Sequence, residues 1–122
     1  MNGATDYPMR LKPGVRLTGL QPQIVLAAVV VHSIMARSGM ECIITSANDS
    51  THGANSLHSR DGLCRAMDFR TKNYPFDKRA LAQEVRASLG PDFDVVLEDE
   101  GGPNEHTHVE YDTKPLITGG MA

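Results

Sequence analysis

The chain has no tryptophan and only three phenylalanines and three tyrosines among 122 residues, so its core must rest on aliphatic packing. Two cysteines, Cys42 and Cys64, allow one disulfide at most, which excludes a disulfide-framework protein and makes two free thiols the simpler expectation. Neither sign of charge dominates. Twelve Lys and Arg stand against fifteen Asp and Glu, a net charge of -3, so no general pull towards nucleic acid or anionic lipid is expected. Long apolar runs are missing too. The longest, Ile24 to Val31, falls well short of the roughly 20 residues needed to cross a bilayer. It also lacks the basic flank and small-residue cleavage site of a Sec-type signal peptide. A soluble chain forming one domain over 1–122 is expected, with one core.

The elements follow from pattern. Residues 1–21 carry Pro8, Pro13, Gly14 and Gly19 and read as an irregular N-terminal arm. Pro22 suits a first helical turn, and Gln23 to Arg37 reads as a helix ended by Gly39. That segment is apolar nearly all round, which predicts a central buried helix. Glu41 to Ser46 reads as a strand, 47–63 as a long polar loop, and Arg65 to Arg70 as a second strand. Phe76 to Leu89 repeats Ala80, Leu81, Val85 and Leu89 at helical spacing before Gly90-Pro91. Asp94 to Glu98 and His106 to Tyr111 complete the strands. This order predicts an α+β fold, a small mostly antiparallel sheet packed by two main helices.

Four of the five histidines fall in two polar clusters, HGANSLHSRDGLCRAMDFRT with His52 and His58, and EHTHVEYD with His106 and His108. Histidine and carboxylate are favoured zinc ligands, and a catalytic zinc keeps one position open for water. On a strand, His106, His108 and Glu110 project from one face. Cys64 and Asp61 are competing donors in the same loop, and a closed His/Cys site would be structural.

Taken together, Ser56-Leu57-His58, then Gly62, Ala66 and Asp68, then Glu105-His106-Thr107-His108 resemble the motifs of the zinc peptidases related to D-alanyl-D-alanine carboxypeptidases and hedgehog domains. With LKPGVRLTGLQPQI and FDVVLE flanking, the likeness is to a phage-associated, peptidoglycan-cleaving branch and covers residues 11 to 114. The resemblance implies a hedgehog/D-Ala-D-Ala-peptidase-like fold and Zn2+ held by His58, Asp68 and His108. It further implies Glu105 as the base beside the activated water, with His106 as the alternative base or an oxyanion donor. The implied substrate is a peptidoglycan stem peptide, cut at the bacterial cell wall by an endopeptidase or a D,D-carboxypeptidase. Two departures accompany the likeness. The interval from His58 to Asp68 is longer than in that family, which predicts an exposed excursion over Ser59 to Leu63. Ser46-Ala47-Asn48-Asp49 stands where the family has a Ser-Gly-Tyr-Arg segment, so either another cation such as Arg65 or Arg70 meets the substrate carboxylate or substrate binding differs. His52 has two readings: a residue of the substrate cleft or one hydrogen-bonded behind a ligand, or a residue that stabilises the loop. Two other readings stay open: a non-catalytic metal-binding domain, and a structural component of a phage particle with assembly partners there.

Overall fold

In the computed structural model, which describes residues 7–48 and 63–113, two helices cover one face of a five-stranded sheet. The elements run β1 (Met9–Leu11), α1 (Pro22–Arg37), β2 (Cys42–Ser46), β3 (Ala66–Arg70), α2 (Lys78–Leu89), β4 (Phe93–Glu98) and β5 (His106–Tyr111). The sheet order is β1-β2-β3-β5-β4, with β1 parallel to β2 and every other pair antiparallel. The α+β class and the mostly antiparallel sheet are as expected. None of the described helices is long and apolar enough to cross a membrane.

Both helices are framed by local chemistry. Pro22 opens α1, where a missing N–H costs nothing. At its other end Gly39 takes φ 77°, and the Gly39 and Met40 amides donate to the Ala36 and Met35 carbonyls, closing the helix as a Schellman turn. The Asp77 carboxylate caps α2 by accepting from the Arg79 and Ala80 amides at 3.0 and 3.1 Å. That cap is why α2 begins at Lys78 rather than at Phe76.

The core lies between helices and sheet, with Ile24, Ala27, Val31 and Met35 of α1 and Leu81 and Val85 of α2 over Cys42, Ile44, Met67, Phe69, Val95 and Val109. It is aliphatic apart from Phe69, as the shortage of aromatics requires. Cys42 and Cys64 are both buried and free, and burial pushes the Cys42 thiol up to about 12.

Two expectations need correction. α1 is not buried all round: Leu26 is 65% and Val29 50% exposed, because the helix has a sheet on one side only. The N-terminal arm is not wholly irregular either. Met9–Leu11 adds an edge strand to β2, and residues 16–21 stitch the body together. The Asn48 amide donates to the Arg16 carbonyl, the Cys64 amide to Gly19 and the Gln21 amide to Cys64, so both ends of segment 49–62 are tied to the arm.

Candidate metal and proton-transfer site

The face of the sheet away from the helices carries the chemistry. Alternation along β3 sends Met67 and Phe69 into the core and Ala66, Asp68 and Arg70 to the opposite face. Along β5 the same rule buries Thr107 and Val109 and presents His106, His108 and Glu110; along β4 it presents Asp94, Val96 and Glu98. Register then aligns them. Asp68 pairs with His108 and Val96 with His108; Arg70 and Glu98 flank His106; Ala66 and Asp94 flank Glu110.

His108 stands at the centre of this grid. Its Nδ1 lies 2.7 Å from Asp68 Oδ1 and its Nε2 2.7 Å from Glu110 Oε1. Burial lowers its pKa, but the hydrogen bonds and charges of Asp68 and Glu110 outweigh that and lift it to about 9. Without a metal the ring is therefore a cation donating from both nitrogens. His106 is held in a related way. Its Nδ1–H donates to the Asn104 carbonyl at 2.7 Å, while Nε2 meets Glu98 Oε1 at 2.8 Å and Asp68 Oδ2 at 3.8 Å. Burial opposes the charged ring, yet the Asn104 carbonyl and the carboxylates of Asp68 and Glu98 hold its pKa above the ordinary value.

Two donor sets thus share Asp68: Asp68 with His108, and Asp68 with Glu98 and His106, the latter three offering ligand atoms within 4.8 Å of one another. Asp94, Glu110 and Asp112 form a further acidic group beside them. Imidazole and carboxylate donors of this kind fit a zinc ion.

A cavity of about 220 Å³ opens alongside, lined by Lys12, Thr45, Ser46, Asp68, Arg70 and His106 among others. The Arg70 and Lys12 side chains make no hydrogen bond or ion pair with any described residue. Of the two candidate cations, Arg70 therefore faces the site, while Arg65 stands at the opposite alternation to Asp68 and is absent from the cavity wall. His52 and His58, together with the excursion over Ser59 to Gly62, lie outside the described residues.

Glu105 departs from the arrangement the resemblance implied. It precedes β5 at the alternation of Thr107 and Val109, and it is only 3% exposed. Its Oε1 accepts from Lys78 Nζ of α2 at 2.8 Å and from the Gly101 amide at 3.0 Å. Burial pushes its carboxyl up, but Lys78 and the Gly101 amide more than offset this and hold it below the usual range. The carboxylate is thus engaged by Lys78 and the Gly101 amide, while Glu105 also lines the cavity beside Asp68 and His106. Sequence reasoning passed over two other members of the site, Glu98 and Lys78. Glu98 could have been found from the alternation of β4 once its register with His106 was fixed. Lys78 carries no local signal.

Comparison with protein-family models, curated proteins and solved structures returned no match for this chain.

Proposed function

We propose that this chain is a zinc metallopeptidase acting on peptidoglycan stem peptides, with Asp68 and His108 as two of its ligands and His58 as the third. One observation carries the reading: residues forty apart in sequence, singled out by two separate motifs, meet at 2.7 Å on the open face of the sheet. Zinc held there would supply a Lewis acid for the scissile carbonyl and acidify the attacking water.

The chain's own residues divide the remaining work. His106, with Nδ1–H fixed on Asn104, directs Nε2 to Glu98 and towards Asp68, and the carbonyl and carboxylates around it raise its pKa. In hydrolysis Nε2 would take a proton from the attacking water as it adds to the carbonyl carbon and return that proton to the departing amine as the C–N bond breaks. Arg70 faces the adjoining cavity and orients a carboxylate of the stem peptide. Glu105, engaged by Lys78, is left out of proton transfer. The same engagement is what favours the second reading, a domain that holds metal without turnover or serves a phage particle as scaffold.

Metal content tests the site. Purified protein should carry about one zinc per chain, and Asp68→Ala, His108→Ala and His58→Ala should each remove most of it. Full occupancy in the His108 variant with loss in a Glu98→Ala or His106→Ala variant would move the ion to the Asp68, Glu98 and His106 set. Mass spectrometry of digested muropeptides separates a peptidase from a binding domain.

A further inference from the structure

The first turn of α2 grips the turn between β4 and β5 at two points. Lys78 reaches the buried Glu105, and Arg79 holds Glu100 through Nε and Nη2 at 2.9 to 3.1 Å. Lys78 Nζ also donates to the Lys72 carbonyl at 3.3 Å, so its ammonium joins the end of β3, the start of α2 and the start of β5. Glu105 completes the link by accepting from Gly101, whose φ of 81° sets the bend of the turn. The turn is closed on itself besides: the Gly102 amide donates to the Asp99 carbonyl at 2.8 Å and the Asn104 amide to Asp99 Oδ2 at 3.0 Å.

Glu105 lies between the two residues that matter on the other face. Asn104 before it supplies the carbonyl that accepts from His106 Nδ1–H, and His106 follows it. Fixing the Glu105 side chain on the helix side fixes the peptide planes on either side of it. The direction of the Asn104 carbonyl then decides which imidazole nitrogen carries hydrogen and which faces Asp68.

We propose that Lys78 and Glu105 are a positioning pair: their contact holds the β4–β5 turn so that Asn104 locks the His106 ring with Nε2 on Glu98 and near Asp68. Glu105 acts through His106 and does not touch the reacting atoms. The catalytic part of this inference rests on the peptidase reading above; the structural part does not. A buried carboxylate facing an ammonium is a strong clamp, because removing Lys78 leaves the Glu105 charge desolvated without its counter-ion.

The test uses the full chain, metal-free, by nitrogen-15 NMR of the histidine rings. The wild type should show a His106 Nδ1–H resonance that exchanges slowly with solvent. Glu105→Ala should abolish it, and Glu105→Gln, which can still accept from Gly101 and Lys78, should keep it. Lys78→Met should behave as Glu105→Ala does. Should Lys78→Met fail to fold, Glu105→Ala decides, because the partly exposed Lys78 ammonium it releases can turn to water. Arg79→Ala, which cuts only the exposed contact, is the control that should leave the resonance in place. In hydrolysis, Glu105→Ala should lower kcat by about 10- to 100-fold, the scale of a small misplacement, with Glu105→Gln restoring most of it. A slowly exchanging His106 Nδ1–H that survives in Glu105→Ala overturns the inference. So does a Glu105→Gln variant that keeps the resonance but is as inactive as Glu105→Ala, since that pattern belongs to a base. If the wild type hydrolyses nothing, the peptidase reading fails while the NMR result still decides the positioning pair.

Discussion

In the metal-free protein His108 should remain a cation well above neutral pH, and Asp68→Asn should release it. The ring sits between two carboxylates at 2.7 Å each, with its side chain 16% exposed, so solvent screens these contacts only weakly. Its pKa stands at about 9 against an ordinary value of 6.5. A difference of that size corresponds to about 3 kcal/mol of folding stability at most. The sign follows from the direction. A group whose folded pKa is raised stabilises fully below pH 6.5, progressively less as pH rises from there, and no longer above about pH 9. Removing the Asp68 charge takes away one of the two carboxylates, and the His108 pKa should then fall by roughly 1 to 2 pH units. The assay is a titration of the His108 ring by NMR in chelated protein, paired with denaturant unfolding at pH 6 and pH 9. The same proton stands in the way of a metal, so zinc binding at pH 7 should release about one proton per chain. A His108 that titrates at or below 6.5 in the metal-free wild type would refute the clamp. An unchanged titration in Asp68→Asn would show that Asp68 does not hold the ring.

Two further outcomes follow from contacts away from His108. Acid should weaken the fold through Glu105: its pKa is lowered, so its contribution is present above its ordinary value of 4.5 and lost as pH falls below it, and urea unfolding of Lys78→Met should lose that acid-side dependence. Asp77→Ala should cost about 1 kcal/mol in equilibrium unfolding, because two amides of the first turn of α2 lose their acceptor, while Asp77→Asn should recover most of it.

Most elements were legible because their signals are local. Pro22 and Gly39 bracket α1, Gly90 ends α2, and alternation puts Asp68 and His108 each on a definite face of its strand, while their grouping came from the motif resemblance. The features that escaped are settled by contacts distant in sequence. The strand Met9–Leu11 has three exposed residues and is too short for its apolar–polar alternation to be read as a strand; only its pairing with Cys42–Ile44 makes it one. The exposed side of α1 could not be inferred from its composition, since an apolar helix looks alike whether one face or both are covered. Glu105 shows the limit most clearly. Its parity with Thr107 and Val109 was readable, yet whether the turn would swing it towards His108 depended on Lys78, twenty-seven residues away.

The arm holds the chain on either side of segment 49–62 beside the strands that carry the site. β2 runs until Ser46 stands opposite Asp68, and two residues later Asn48 is fixed by its amide to Arg16 and by its side chain to Thr18. Among the described residues the chain is next held at Cys64, through Gly19 and Gln21, two residues before β3 begins. Both ends of segment 49–62, which carries His52 and His58, are therefore pinned by one short stretch of arm beside the strand that bears Asp68. Closing a loop between fixed ends costs entropy that rises only slowly with its length. Added residues between His58 and Asp68 can then be tolerated, provided the two anchors stay where they are. Weakening Asn48 or the Gly19–Cys64 contact should disturb the site more than shortening the segment does.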